Sequence, residues 1–323
     1  MGVLVGVVFS FSVVFCFSVI LCGCKEEETY PVTEYLLETY NTPMEKGNLL
    51  SEELCVSENN VTLEAYTEDT NVKAAALYDV ANCQVLYSYS AHERLYPASV
   101  TKIMTALLAL ENGDLSSEVT ISANAAASSF SIYAQVCGLQ EGDIWTLNDL
   151  VNALLLYSGN DTAVAIAEHI AGSEEAFVQM MNERAKSLMA YNTNFCNPHG
   201  LHEDDHYTTA YDIYLIFQEC IKNETFVDII NQEECTVSFI RDGITQETSF
   251  KATNWYAQGV VTKPENVHIL GGKTGTTDEG GYCLVLLERD ANENNYISIV
   301  MGSPVKEDLY TDMTSLIQAI PNT

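Results

Sequence analysis

Pro97-Ala98-Ser99-Val100-Thr101-Lys102-Ile103-Met104-Thr105 opens a run in which Ile103, Leu107 and Leu110 recur at helical spacing, and Asn112-Gly113 supplies the stop. The pattern predicts a helix from about Ser99 to Leu110. A Ser at a helix start holds its hydroxyl near unpaired backbone N–H groups, and a Lys three residues later lies on the same face one turn on. That geometry lets a neutral amine take the hydroxyl proton while the oxygen attacks a carbonyl. Such a lysine needs a lowered pKa, for which the apolar neighbours Ile103, Met104, Ala106 and Leu107 provide desolvation. A capping serine followed by a solvated lysine is the structural alternative, and the four-residue pattern alone does not separate the two.

On the N-terminal side, Val72 to Val80 and Gln84 to Ser90 are rich in Val, Leu, Ala and Tyr, and Ala81-Asn82-Cys83 between them reads as a hairpin turn. Toward the C-terminus, helices are predicted at Leu147 to Tyr157, Asp161 to Ala171, Glu174 to Met189 and Ala210 to Lys222. Strands follow at Val267 to Gly275, Tyr282 to Arg289 and Tyr296 to Gly302, then a helix from about Glu307 to Ala319. Strands at both ends with helices between them predict an α+β fold. One mainly antiparallel sheet would be closed by distant segments, with helices on its faces and a helical subdomain beside it.

Ser158-Gly159-Asn160 falls at the junction of two predicted helices. Asn160 suits a helix cap there, and a hydroxyl and an amide at such a turn also suit a cleft wall. Lys273-Thr274-Gly275 lies in a glycine-rich strand, Leu270 to Thr277. A phosphate loop would need Gly five residues before Gly272, where Val267 stands, so the nucleotide reading fails. A strand with Lys beside Gly fits a different use, in which the cation binds a carboxylate and a peptide lies along the strand edge.

In the order S-x-x-K, S-x-N and K-T-G, these three motifs resemble the penicillin-recognising serine enzymes. The flanking residues look like the low-molecular-mass penicillin-binding proteins, the serine D-alanyl-D-alanine carboxypeptidases. They are Pro97 to Thr105, Asn197-Pro198-His199-Gly200-Leu201, Thr208-Thr209-Ala210-Tyr211-Asp212, and Gly272 to Gly275 followed by Tyr282-Cys283-Leu284. The resemblance runs from about residue 70 to residue 302 and implies the penicillin-binding-protein/β-lactamase-like transpeptidase fold. It implies Ser99 as nucleophile, Lys102 as its base, and Ser158 and Asn160 as proton relay and substrate holder. Lys273 and Thr274 would bind the terminal carboxylate, with Gly275 giving the peptide room, and the backbone N–H groups of Ser99 and Thr276 would form the oxyanion hole. The implied substrate is a peptidoglycan stem peptide ending in D-alanyl-D-alanine, the implied inhibitors are β-lactams, and neither cofactor nor metal is called for. A β-lactamase and a non-catalytic penicillin-binding sensor are the rivals. Related lactamases have Asp where Gly159 stands, and the nearest candidate for their loop Glu is Glu203.

With 323 residues, 47% of them hydrophobic, the chain can bury a large core. Its 14 Lys+Arg against 45 Asp+Glu give a formal charge of −31, which repels phosphate backbones and speaks against a nucleic-acid partner. Val3 to Leu21 is almost uninterruptedly apolar and ends at Lys25-Glu26-Glu27-Glu28, the pattern of an export signal or membrane anchor. Leu21-Cys22-Gly23-Cys24 resembles a lipobox, which implies lipidation of Cys24; an uncleaved anchor is the alternative. Both place the rest outside the cytoplasm, at the membrane unless secreted. The expected organisation is therefore an export segment over 1–24, an acidic tether over 25–70 and a catalytic domain over 71–323. Only two strands and a helix follow the Lys273 strand, so anchoring is expected from the N-terminal side. Seven Cys follow the export segment, an odd number without a C-x-x-C pair, which argues against a Cys-built zinc site and against complete disulfide pairing. His199, His202 and His206 have a metal-like spacing, but they lie in a loop the serine family also has.

Overall fold

A computed structural model describes residues 53–66 and 71–321. The export segment, Cys24 and most of the expected tether lie outside the described residues. β1 (Ala74–Asp79) and β2 (Gln84–Tyr89) form the expected hairpin. The next helix starts later than the sequence pattern predicts: Ala98–Thr101 is a 3-10 turn and α1 spans Lys102–Asn112. Ala98 has φ 48°, a left-handed conformation that no continuous helix admits. Two short strands follow, β3 (Glu118–Thr120) and β4 (Ile144–Thr146), and then α2 (Leu147–Leu156), α3 (Asn160–Ala171) and α4 (Glu174–Ser187). Next come α5 (Ala210–Cys220), α6 (Glu224–Ile230) and a hairpin of β5 (Glu234–Arg241) with β6 (Ile244–Lys251). The fold closes with β7 (His268–Thr277), β8 (Gly281–Arg289), β9 (Asn295–Ser303) and α7 (Lys306–Gln318).

Side-chain caps explain why the helix starts were readable. The hydroxyls of Thr146, Ser173 and Thr209 accept from the N–H groups of Asp149, Ala176 and Asp212, at the heads of α2, α4 and α5. Asn160 does not cap; Gly159 holds that position, and Asn160 is the first residue of α3, its amide left for other work.

The five-stranded sheet runs β2-β1-β9-β8-β7, antiparallel throughout, so the first strands pair with the last. Along β9 the pleat alternates faces. Ile297, Ile299 and Met301 join the core with α1 and α5, while Tyr296 and Val300 face α7 through Met313 and Leu316. The expected single sheet is accompanied by a second, β3-β4-β5-β6. Three of its strands offer little pattern to read, since β3 and β4 have three residues each and Phe250 is the one buried residue of β6; β5, with Cys235, Val237 and Phe239 alternating inward, carries a period-two pattern that the sequence reading passed over.

Residues 53–66, inside the stretch expected as tether, pack on the domain. Cys55 is fully buried; its N–H donates to the Tyr214 hydroxyl at 2.9 Å, and its carbonyl accepts from Tyr211 at 3.1 Å. The Glu53 carbonyl accepts from Gln218, and Val61 bridges to Ser88. The segment is held by backbone groups meeting distant side chains, which leaves no periodic apolar face to read.

Candidate active site

Ser99 sits in the 3-10 turn between buried Ala98 and Val100, so its hydroxyl is the part of the turn that reaches the cleft. β7 passes directly beneath. A Cβ on Gly275 would stand 2.8 Å from the Pro97 carbonyl and 3.1 Å from the Ser99 nitrogen, which is why the strand has glycine there. Gly200, with φ 85°, is equally constrained: a Cβ would overlap the Ala98 carbonyl at 1.9 Å.

Lys102 begins α1 and is 0% exposed. Its Nζ lies 3.0 Å from Ser99 Oγ, 2.8 Å from Asn160 Oδ1 and 2.6 Å from the His199 carbonyl. Burial drives its pKa well below the ordinary lysine value, and the nearby Lys273 cation pushes the same way. The capping-serine alternative with a solvated lysine is therefore not what the fold builds. A neutral amine has two N–H donors and one lone pair. Two of the three partners can only accept, so the lone pair is left facing the Ser99 hydroxyl.

Ser158 and Asn160 occupy the α2–α3 junction, where Ser158 takes φ 72°. Ser158 Oγ accepts from Lys273 Nζ at 2.8 Å, and the same ammonium donates to the Thr274 carbonyl at 2.9 Å. Lys273 is 1% exposed, and burial draws its pKa down to about 7. Thr274 Oγ1 shares a 2.6 Å hydrogen bond with Thr253 Oγ1. Ser99, Ser158, Asn160, Thr274, Gly275 and Thr276 thus meet in one cleft of about 320 Å³. Lys102 and Lys273 stand behind that wall, reaching the cleft through Ser99 and Ser158.

Asp161 is a residue that sequence reasoning missed. Fully buried, its carboxylate accepts from the N–H groups of Cys137, Gly138 and Leu139, while the Asn160 N–H donates to the Gln135 carbonyl. This fastens the loop roofing the cleft to the head of α3. Its only signal in sequence is an acid in a first helical turn, which solvent-facing caps share.

The three histidines have separate partners, His202 Nε2 lying 3.5 Å from Asp204 Oδ1. His206 uses Nε2 with Thr101 Oγ1 and Nδ1 as acceptor of the Cys196 N–H; His199 Nδ1 accepts from Leu201. Burial lowers the pKa of His199 to about 3 and of His206 to about 4, so both are neutral. Glu203 is held by the Asn197 amide at 2.9 Å and does not line the cleft.

A buried lysine set against a serine on a strained turn, with a second lysine–serine pair opposite and a glycine strand beneath, is an arrangement able to carry acyl transfer through serine. The D-alanyl-D-alanine carboxypeptidase family, peptidase family S11, matches residues 60–305, and the chain belongs to it. Among curated relatives, D-alanyl-D-alanine carboxypeptidase DacF of Bacillus subtilis is 34% identical over 253 residues, 76% of this chain and 61% of its own length. DacC of Escherichia coli is 30% identical over 79% of this chain and 62% of its own. The chain therefore spans about six tenths of the length of these relatives. Among solved structures, a variant of a Streptomyces DD-transpeptidase superposes with a TM-score of 0.72 at 26% identity, covering 78% of this chain and 98% of that one. Penicillin binding protein 6B from Escherichia coli gives 0.69 at 26% identity, covering 81% of each chain. The α+β fold is that of the penicillin-binding DD-peptidases.

Proposed function

We propose that the chain is a serine-type D-alanyl-D-alanine carboxypeptidase that removes the terminal D-alanine from peptidoglycan stem peptides and is covalently inhibited by penicillin. The partner set of Lys102 carries this proposal: two acceptors take its N–H groups and Ser99 faces its lone pair. Ser99 Oγ attacks the carbonyl of the penultimate D-alanine and gives its proton to Lys102. The oxyanion meets the backbone N–H groups of Ser99 and Thr276. Ser158 protonates the leaving amine, with Lys273 behind it to replace the proton. D-Alanine departs, with Thr274 and the Lys273 charge having held its carboxylate, and water hydrolyses the Ser99 ester. The chemistry requires no cofactor.

The apolar segment Val3 to Leu21 and Cys24 support a position outside the cytoplasm, with a lipid on Cys24 as the anchor. Among the described residues no helix is long and apolar enough to cross a membrane. Incubation with penicillin followed by peptide mass mapping tests the site. One penicilloyl group is expected on Ser99 and none on a Ser99→Ala variant; an adduct elsewhere would overturn the assignment.

A further inference from the structure

β7 is an edge strand of its sheet, and its residues set the direction of a bound substrate. In the pose proposed above, the terminal carboxylate meets Lys273 and Thr274, and the scissile carbonyl meets the Thr276 N–H. Two residues of an extended strand advance about 7 Å. The substrate therefore runs antiparallel to β7, and its earlier residues lie toward Thr277 and the turn beyond. Thr277 ends β7 and lines the cleft; Asp278 and Glu279, both exposed, come next.

The loop after His199 meets the same turn. Leu201, 37% exposed, lines the cleft, and the adjacent His202 has Nδ1 4.0 Å from Glu279 Oε2 and Nε2 3.5 Å from Asp204 Oδ1. His202 Nδ1 is buried and has no hydrogen-bond partner among the described residues. The Tyr96 ring meets the imidazole edge-on at 4.6 Å and holds it between loop and turn. Tyr133, 92% exposed, is a further part of the cleft lining, and Phe130 of the same segment meets His199 edge-on at 5.9 Å. The upstream end of the cleft thus joins apolar side chains to the carboxylates of Asp278, Glu279 and Asp204.

Among the described residues, Lys306 is the one cation in the cleft lining, and it belongs to the opposite end. Its Nζ lies 4.5 Å over the Trp255 ring, two residues along from Thr253, which bonds to Thr274. A carboxylate on the residue before the scissile D-alanyl-D-alanine would meet like charge upstream, and an apolar side chain would gain from the walls alone. An ammonium on an apolar stem gains from walls and carboxylates together.

We propose that Asp278 and Glu279 make the cleft selective for stem peptides in which the residue before the scissile D-alanyl-D-alanine carries a free ammonium group. The inference rests on the carboxypeptidase reading and on the substrate direction that follows from it. The side-chain stem lies against Leu201 and Tyr133, and the ammonium ends among the carboxylates beyond Thr277. Both acids are exposed, so salt screens their attraction.

The full-length protein is assayed on Nα-acetyl-L-lysyl-D-alanyl-D-alanine, on the same peptide acetylated at Nε, and on its L-glutamyl counterpart, with released D-alanine as the readout. At low ionic strength kcat/KM should be about tenfold higher for the free amine than for its acetylated form, and lowest for the glutamyl peptide. In about 0.5 M NaCl the ratio of free to acetylated peptide should shrink to about twofold. The double variant Asp278→Asn, Glu279→Gln should show the same collapse at low salt, with penicillin labelling of Ser99 reporting that it is folded. Equal kcat/KM for the three peptides, or a preference that survives either the salt or the double substitution, overturns the selectivity alone. Turnover of none of them overturns the carboxypeptidase proposal, and this inference with it.

Discussion

In the proposed mechanism Lys102 and Lys273 carry the same functional group into opposite tasks. There Lys102 must be neutral to accept the Ser99 proton, whereas Lys273 must be charged to hold a carboxylate and feed Ser158. Each is buried, and the Lys273 cation itself helps keep Lys102 neutral. Lys102→Arg should therefore lower penicillin acylation by about a thousandfold or more, because a guanidinium is not deprotonated. Lys273→Arg should keep measurable activity. A lysine is cationic below its pKa, so with Lys273 at about 7 the acylation rate should fall as pH rises through that region. Because the two lysines interact, the limbs of the profile belong to the pair. Arginine at 273 stays charged, so the alkaline limb should move to higher pH; a Lys273→Arg profile with that limb unmoved would contradict the assignment.

The α2–α3 junction shows what can and cannot be read at the scale of elements. Its helices were legible because their apolar spacing and the Thr146 cap of α2 are local. The Ser158 backbone, at φ 72°, was not, since nothing in Ser-Gly-Asn says that the serine takes the left-handed turn. That conformation costs a residue bearing a Cβ about 1 kcal/mol relative to glycine. Ser158→Gly and Ser158→Ala both lose the relay hydroxyl and should both be nearly inactive. The glycine variant should nevertheless melt about 2–4 °C higher than the alanine one. Equal melting temperatures would mean the turn stores no strain. The three motifs themselves were legible because they are residue types tied to chemistry at fixed spacing. Asp161 was not: three of its N–H partners come from a loop more than twenty residues away. Of the β5–β6 hairpin, β6 was illegible because it buries one side chain, whereas the alternation of Cys235, Val237 and Phe239 in β5 was there to be read.

At the scale of the molecule, the domain begins earlier than its composition suggests. Residues 53–66 contribute buried Cys55 and Tyr66 and backbone bonds to α5, so deleting 1–49 and deleting 1–70 are different experiments. Loss of those hydrogen bonds and that apolar burial costs roughly 3 kcal/mol. The protein lacking 1–70 should melt about 6–12 °C below the one lacking 1–49. Matching melting curves would make the segment a passive tether. The whole cleft also separates the carboxypeptidase proposal from the β-lactamase rival. Gly159 stands where lactamases have an acid, and Glu203 is bound to Asn197 away from the cleft, so among the described residues no carboxylate lines the cleft to drive water onto a penicilloyl ester. The most direct measurement follows penicillin and an acyl-D-alanyl-D-alanine peptide with the same enzyme sample. Stoichiometric, long-lived labelling of Ser99 by penicillin is expected, together with many turnovers of the peptide. Rapid catalytic hydrolysis of penicillin, abolished by Glu203→Gln, or failure of either compound to acylate Ser99, would contradict it.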